Sequence, residues 1–313
     1  MTALLTTANW SSTAWMRELR EADANRRFVL HGVDTYEPAE VRYALTWKPP
    51  KGLLPSLPNL EVVFNLGAGV DAVLADPELP DVPVVRLVDD DLTDQMTEWV
   101  TLQVLAHHRQ ALTYAAQQRA NQWRDREQPA TRDVRVGFLG YGVLAQSAAK
   151  IIEMLGFQVQ GWSRSPKEAP IKMFAGEAGL RPFLAETDIL VVLLPLTPAT
   201  REIINTSLID ALAKDGAHGG PILINAGRGG LQNEVDILTA LQDGRLKGAS
   251  LDVFQVEPLP ASSPLWSAPN LIITPHCSAV SNPRAVSQYV TKQISAYERG
   301  EALQNVVDRT RGY

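Results

Sequence analysis

From residue 134 onward the chain repeats one pattern, in which a short apolar run is followed by a longer segment with helical periodicity. Each run is bounded by turn-forming or polar residues and has the length of a buried strand. Strands that alternate with helices in this way predict a doubly wound parallel sheet with right-handed crossovers. The six runs are VRVGFLG (134–140), FQVQGWS (157–163), DILVVLLP (188–195), PILINAG (221–227), GASLDVF (248–254) and LIITPH (271–276).

The first part of the chain predicts a smaller α/β domain. Helical and turn material separates its strand candidates, which are FVLHG (28–32), YALTW (43–47), LEVVFNLG (60–67) and VPVVRLVD (82–89). The stretch from Thr93 to about Trp123 has helical periodicity and no Gly or Pro, so it predicts one long helix that bridges two domains.

The sequence also predicts where the two domains begin and end. A last helix, expected at about 283–300, is placed to fold back onto the first domain. The predicted bounds are therefore 1–95 with 284–313 for the smaller domain, and 96–283 for the larger one.

Composition narrows the classes of partner. The 313 residues carry a formal net charge of −6, which argues against a nucleic-acid binder because no surplus of positive charge is present to neutralise phosphates. The apolar stretch ILVVLLPL (189–196) is far shorter than the roughly 20 residues of a membrane helix. With one cysteine, Cys277, and no signal-peptide pattern, the sequence predicts a cytoplasmic protein whose partners are small molecules or proteins rather than membranes.

A glycine motif follows the first regular strand. Gly140, Gly142 and Ala145 form GxGxxA between that strand and a helix that opens with Val143 and Leu144. The first glycine permits a tight turn, the second lets the backbone approach a pyrophosphate, and the small third residue allows close packing of helix and strand. Although the motif alone also fits an ordinary glycine-rich turn, its position favours a dinucleotide site on the Rossmann type of sheet.

The end of the next strand favours NADPH over NADH. NAD sites usually carry an Asp or Glu about 20 residues after the glycines. This chain instead has Ser163, Arg164, Ser165 and Lys167, whose hydroxyl groups and positive charges suit a 2′-phosphate. NADH is the alternative cofactor, and solvated turn residues are the alternative interpretation of the two cations.

Three polar residues lie at or just beyond the ends of the last three apolar runs: Arg228, Glu257 and His276. Ligands of open α/β sheets bind beyond the carboxyl ends of the strands, so these side chains are expected in one crevice. Arginine there suits a substrate carboxylate, and a histidine with a carboxylate partner suits proton transfer. Taken singly, each also has a plainer interpretation, as a phosphate-binding arginine, a surface acid and a buried structural histidine.

The ordered set GxGxxA, LLPLTPAT, NAGRGG, LDVFxxEP and TPH resembles the D-isomer-specific 2-hydroxyacid dehydrogenase family over roughly residues 60 to 300. The segments TWKPP (46–50), NLGAGVD (65–71) and WSRS (162–165) are most similar to its glyoxylate/hydroxypyruvate reductase A branch. The resemblance implies NADPH-dependent reduction of small 2-keto acids, a flavodoxin-like substrate domain and a homodimer.

The resemblance also assigns catalytic functions. Arg228 is expected to bind the carboxylate and keto oxygen of the substrate, His276 to protonate that oxygen as hydride arrives, and Glu257 to orient the imidazole. Asp252 resembles the residue that accepts a hydrogen bond from the nicotinamide carboxamide. The other cofactor-binding positions expected beside it are Leu194, Pro195, Thr200, Ala226 and Gly227.

The first domain is expected to bind the other side of the substrate. Ala68 and Gly69 can present backbone N–H groups to its carboxylate. Trp47 is expected to line the pocket, although it could equally be ordinary core.

Two further functions compete, and no metal site is predicted. One is an NAD-dependent dehydrogenase of a larger D-2-hydroxy acid, and the other is a non-catalytic protein that senses a dinucleotide. No cluster of His, Cys, Asp and Glu has the spacing of metal ligands.

Overall fold

The computed structural model describes residues 1–8, 10–310 and 312, and it separates into two compact units. Unit 1 combines Met1–Leu92 with Val280–Tyr313, and unit 2 consists of Thr93–Ala279.

Unit 1 is built on a five-stranded parallel sheet. Its elements are β1 (Thr2–Thr6), α1 (Ser12–Ala22), β2 (Arg27–Leu30), β3 (Val41–Thr46), β4 (Val62–Asn65), α2 (Asp71–Leu74), β5 (Val84–Val85) and a C-terminal helix, α9 (Pro283–Glu298). The strand order β2-β1-β3-β4-β5 is that of flavodoxin-like sheets. All four strands predicted for this region are present, whereas β1 was not predicted.

The C-terminal helix belongs to unit 1 because it packs against α1. The guanidinium of Arg26, just before β2, donates to both carboxylate oxygens of Glu298 at 2.8 and 2.9 Å. The hydroxyl of the buried Tyr43 donates to the same carboxylate at 3.2 Å. Helix α9 thus packs on the first part of the chain.

Unit 2 contains a seven-stranded parallel sheet with helices on both faces. Its elements are α3 (Asp90–His108, which begins in the last residues of unit 1), α4 (Ala111–Arg119), β6 (Arg135–Leu139), α5 (Val143–Met154), β7 (Gln158–Ser163), β8 (Lys172–Ala175), α6 (Gly176–Ala185), β9 (Ile189–Val192), α7 (Thr206–Ala211), β10 (Ile222–Asn225), α8 (Glu234–Asp243), β11 (Gly248–Leu251) and β12 (Leu271–Ile273).

The strand order in unit 2 is β12-β11-β10-β9-β6-β7-β8, so the direction of winding reverses between β6 and β9. Ligands of doubly wound sheets bind at this switch point, beyond the carboxyl ends of the strands. The predicted fold class is confirmed, and all six predicted strands are present. The edge strand β8 was not predicted.

Both faces of the unit 2 sheet are buried, which explains why its strands are continuous apolar runs. Phe138 and Val191 pack into a cluster on one face, whereas their neighbours Leu139 and Val192 pack into a second cluster on the other. Successive side chains of a strand point to opposite faces, so a sheet covered on both sides needs apolar residues at every position.

The single long helix predicted from Thr93 to Trp123 is wrong. Helix α3 ends at His108, and α4 begins at Ala111 after Gln110, which has a left-handed backbone with φ of 57°. The Gln110 side chain donates to the carbonyl of Glu127 at 2.6 Å and accepts from Nε of Arg126 at 3.2 Å. These contacts with a later segment of the chain stabilise a break that no Gly or Pro marks.

Candidate active site

The structure places Arg228, Glu257 and His276 at one edge of the unit 2 sheet. Arg228 lies three residues beyond β10, Glu257 six beyond β11, and His276 three beyond β12. Because these strands are adjacent and parallel, their carboxyl ends share an edge. The three side chains predicted to be catalytic are therefore brought to the same end of the sheet.

Glu257 orients the His276 imidazole. Nδ1 of His276 lies 2.8 Å from Oε2 of Glu257, and the other carboxylate oxygen accepts from the backbone N–H of Phe254 at 3.1 Å. An ionised carboxylate can only accept, so the ring must carry its proton on Nδ1 in this contact. Nε2 is then the atom that can exchange a proton with a ligand. The two side chains are 29% and 26% exposed, so the pair is accessible.

The loop that carries His276 is anchored by Asp252. This fully buried carboxylate accepts from Oγ1 of Thr274 at 2.6 Å and from the backbone N–H groups of Cys277 and Ser278, each at 2.9 Å. His276 itself has a left-handed backbone, with φ of 53°. A strained conformation held by its surroundings is typical of functional positions.

The sequence did not predict this anchoring function of Asp252. The expected contact between Asp252 and the nicotinamide carboxamide stays a prediction.

Arg228 follows β10 in an extended conformation, on a loop held by two buried amides. Oδ1 of Asn225 accepts from the N–H of Gly227 at 3.0 Å, and Nδ2 of Asn225 donates to Oε1 of Gln232 at 2.7 Å. Asn225 and Gln232 are both fully buried. The sequence predicted a function for neither residue, because a polar residue beside an apolar run does not reveal its partner.

The Arg228 loop packs directly on the loop that follows β11. A Cβ atom at Gly229 would lie 1.9 Å from the carbonyl oxygen of Phe254, so only glycine fits. Since Phe254 also donates to Glu257, the arginine loop and the carboxylate loop share this contact point.

The glycine turn after β6 has the geometry of a pyrophosphate site. Gly140 has φ of 94°, and a Cβ there would lie 3.0 Å from the Leu193 carbonyl. At Gly142, by contrast, no described atom lies within 4 Å of where a Cβ would be. Within the described part of the chain, no side chain caps α5, and its first turn, starting at the exposed Val143 and the half-buried Leu144, holds no acid. An anion therefore fits at this helix terminus.

The turn after β7 lies close to the glycine turn. Nζ of Lys167 donates to the carbonyl of Tyr141, between the two glycines, at 2.8 Å. Oγ of Ser163 donates to the carbonyl of Ser165 at 2.7 Å, and Arg164 is exposed. Residues 163–167 contain no carboxylate, so this turn suits a phosphate better than a bare ribose.

The loop after β9 lies beside the glycine turn, since Leu193 and Leu194 contact the Cβ position of Gly140. The Thr200 hydroxyl donates to the carbonyl of Pro195 at 2.7 Å and so closes a tight turn. The Leu194 carbonyl would lie 2.9 Å from a Cβ at Gly227, which follows the buried Ala226. The structure thus gathers these residues near the glycine turn, and their contacts with a cofactor stay predictions.

In unit 1, Trp47 stands at the end of a stack of three indole rings rather than alone in a pocket. Its ring stacks on Trp10 with centroids 4.9 Å apart, and Trp10 stacks on Trp15 at 5.5 Å. The other neighbour is Gly67, where a Cβ would lie 2.3 Å from the indole. The function of Trp47 in lining the pocket stays a prediction, and the sequence did not point to Trp10.

Asn65 shapes the segment that carries Ala68 and Gly69. Its buried Nδ2 donates to the carbonyls of Gly67 and Gly69 at 2.6 and 3.0 Å. In the described ranges, no protein group accepts from the N–H of Ala68 or Gly69. This loop therefore leaves donors for an anion, as an anion-binding nest does.

The fold and these side chains define a class of protein: an oxidoreductase that binds a nicotinamide dinucleotide on a doubly wound sheet, with an oriented histidine beside it. Across residues 1–8, 10–310 and 312, no group of three or more His, Cys, Asp or Glu residues is arranged to hold a metal ion. The same residues include no helix with the length and apolar character needed to span a bilayer.

Comparisons with known proteins identify the family. The model of the NAD binding domain of D-isomer specific 2-hydroxyacid dehydrogenases matches residues 101–278. A glyoxylate/hydroxypyruvate reductase A from Escherichia fergusonii is 40% identical over 97% of each chain.

Solved structures agree with this assignment. An NADPH-dependent glyoxylate/hydroxypyruvate reductase from Sinorhizobium meliloti, in complex with NADP and sulfate, is 44% identical with a TM-score of 0.94, covering 100% of this chain and 99% of its own. A probable 2-hydroxyacid dehydrogenase from Rhizobium etli, in complex with NADP, HEPES and tartaric acid, is 43% identical with a TM-score of 0.94 and the same coverage. The chain belongs to the D-isomer specific 2-hydroxyacid dehydrogenase family, and the resemblance inferred from the sequence is confirmed.

Proposed function

We propose that this protein reduces small 2-keto acids with NADPH, converting glyoxylate to glycolate and hydroxypyruvate to D-glycerate. The observation that carries the proposal is the His276–Glu257 pair, which lies at the same sheet edge as Arg228 and the glycine turn. Relatives that cover nearly the whole chain and are named as glyoxylate/hydroxypyruvate reductases support the substrate class.

In the proposed reaction, NADPH supplies a hydride to the keto carbon. His276 gives the proton from Nε2 to the oxygen that becomes a hydroxyl, since Nδ1 is engaged by Glu257. The ring therefore starts as the imidazolium, with protons on both nitrogens, and becomes neutral when Nε2 gives its proton. The Glu257 carboxylate stabilises the charged ring before that transfer. Arg228 binds the substrate carboxylate and keto oxygen through its forked guanidinium, which also stabilises charge on that oxygen.

Unit 1 contributes further substrate contacts in this proposal. The N–H groups of Ala68 and Gly69 bind the carboxylate, because Asn65 holds the neighbouring carbonyls away from it. Trp47 limits the size of the substrate side chain, and the stacked Trp10 keeps the indole rigid.

The preference for NADPH rests on the turn after β7. Gly140, Gly142 and the start of α5 hold the pyrophosphate. Ser163, Arg164, Ser165 and Lys167 hold the 2′-phosphate. Solved relatives bound to NADP support this assignment.

We further propose a homodimer in a reducing cytoplasm. Trp123 is fully exposed, and Leu102 on α3 is 61% exposed, which leaves apolar surface for a second copy of the chain to cover. A free Cys277 thiol agrees with a reducing compartment. Sedimentation of the wild type and of Trp123→Ser tests the dimer: a monomeric wild type would refute it, and a shift of the variant toward monomer would place Trp123 in the interface.

The activity is tested by following NADPH absorbance with glyoxylate and with hydroxypyruvate. Rapid oxidation of NADPH supports the proposal. Turnover confined to NAD and a larger hydroxy acid would instead assign a different dehydrogenase, and tight NADPH binding without turnover on any 2-keto acid would assign a sensing protein.

A further inference from the structure

Gln232 occupies an unusual place for an amide, since it is fully buried between two catalytic loops. It follows the short turn Gly229–Leu231 that comes directly after Arg228. Its Oε1 accepts from Nδ2 of Asn225 at 2.7 Å, and its Nε2 donates to the carbonyl of Val253 at 2.9 Å.

The oxygen and the nitrogen of the Gln232 side chain bond to two segments that carry different parts of the proposed catalytic set. On one side, Asn225 accepts from the N–H of Gly227 at 3.0 Å and so fixes the backbone next to Arg228. On the other side, Val253 precedes Phe254, whose N–H donates to Glu257 at 3.1 Å. Glu257 then contacts His276 at 2.8 Å.

The donors and acceptors in these hydrogen bonds allow only one orientation of the Asn225 and Gln232 side-chain amides. Oδ1 of Asn225 is used by a backbone N–H, so Asn225 must offer its NH₂ group to Gln232. Gln232 must then accept with its oxygen, which leaves its NH₂ group for the Val253 carbonyl. A glutamine satisfies both requirements, whereas an apolar residue of the same size satisfies neither. It would remove the side-chain donor of the Val253 carbonyl and leave Nδ2 of Asn225 only its longer contact of 3.4 Å with the Arg228 carbonyl.

We infer that Gln232 is a positioning residue, which holds the Arg228 clamp and the Glu257–His276 acid at a fixed separation so that both act on one substrate. The inference rests on the proposed 2-keto acid reduction. Small displacements of catalytic groups reduce turnover strongly, because alignment supplies a large part of the rate. Gln232 contacts neither the substrate nor the cofactor in this account.

The test uses Gln232→Met, which keeps the length of the side chain and removes the amide. With glyoxylate and NADPH, kcat is expected to fall about tenfold or more, while the Kd for NADPH changes less than about twofold. Gln160→Met is the matched control: Gln160 is also a buried amide of unit 2, and it donates to the carbonyls of Phe183 and Glu186. That control should lower Tm by a similar amount and leave kcat within about twofold.

A double-mutant cycle with His276→Asn separates positioning from stability. If Gln232 acts through the geometry of the catalytic set, its replacement should cost less than about threefold once His276 is gone. An equal loss in both backgrounds, or a lower Tm with unchanged kcat, would overturn the inference. Gln232→Glu, which keeps the acceptor toward Asn225, is the second variant should Gln232→Met fail to fold. If neither variant folds, Gln232 is a stability residue and the inference is wrong. A wild type that turns over no 2-keto acid would refute the proposed function itself.

Discussion

Nδ1 of His276 lies 2.8 Å from Oε2 of Glu257, and the backbone N–H of Phe254 donates to the other oxygen of that carboxylate. The histidine is thus oriented by a residue that is itself fixed to the backbone after β11. This pair is preorganised by the protein alone, so its function can be examined by single substitutions.

His276→Asn should depress turnover by about 10²- to 10⁴-fold, because the imidazole is the proposed proton donor. The Kd for NADPH should change less than about twofold, since the ring acts on the keto oxygen. Steady-state kinetics and fluorescence titration measure the two quantities. Glu257→Gln should change kcat in the same direction but less, and near-normal turnover of His276→Asn would remove the assignment as acid.

Arg228→Ala should raise the KM for glyoxylate and lower kcat together, because the side chain both binds and polarises the keto acid. Arg228→Lys keeps the positive charge but lacks the forked donors of the guanidinium. We therefore expect it to recover only a small part of the kcat/KM that Arg228→Ala loses. Initial-rate kinetics over a range of glyoxylate concentrations give both constants. A variant weakened only in NADPH affinity would show that Arg228 binds a phosphate instead.

Ser163→Asp combined with Arg164→Gln should shift the cofactor preference from NADPH toward NADH. The introduced carboxylate suits the free ribose hydroxyls and repels a 2′-phosphate. The ratio of kcat/KM for the two cofactors is the readout, and it should fall by about 10²-fold or more. An unchanged ratio would mean that the turn after β7 does not select the cofactor.

Two glycines of one turn should respond differently to alanine. Gly142 has a φ of −85° and open space at the Cβ position, so Gly142→Ala should leave Tm nearly unchanged and weaken NADPH binding. Gly140→Ala should also cost about 1–2 kcal/mol of stability, because the residue is left-handed and close to the Leu193 carbonyl. Thermal melts with and without NADPH distinguish the two. Equal NADPH affinity in Gly142→Ala and the wild type would argue against a pyrophosphate at this turn.

Stability should fall as the pH drops from about 6.5 toward 4, in part because of His107. Burial lowers the pKa of this imidazole to about 4. Its Nε2 lies 2.9 Å from the Ser250 hydroxyl, itself bonded to Gln103. The unfolded chain binds a proton in this window that the folded chain does not, so acid favours unfolding by roughly 3 kcal/mol at pH 4. Urea titrations of wild type and His107→Gln measure the effect, which should be smaller in the variant. Parallel curves for the two proteins would contradict it.

The strands, and the functional residues at their ends, could be predicted because buried parallel strands are continuous apolar runs in the sequence. The turn at Gly140 and the residues Arg228 and His276 follow such runs directly. By contrast, TALLT in β1 and KMFA in β8 are rich in Ala, Leu, Met and Lys, which favour helix, so neither run could be distinguished from helix or loop.

The remaining features depend on side-chain partners that are not neighbours along the chain. Gln110 takes a left-handed backbone because residues 126 and 127 contact its side chain, so the break between α3 and α4 has no local signal. Asn225 and Gln232 act as a pair, and neither partner is evident until the loops are folded. Polar networks of this kind are decided by geometry rather than by residue pattern.

The return of α9 to α1 makes unit 1 discontinuous in sequence, whereas unit 2 is one continuous stretch. A ribosome releases the chain from its N-terminus, so residues 1–92 emerge long before Glu298 can reach Arg26. Unit 2 can complete its sheet during synthesis, whereas unit 1 cannot complete its packing until α9 has been synthesised. Residues 1–92 are therefore synthesised before unit 2, but they complete their packing only after α9 covers α1.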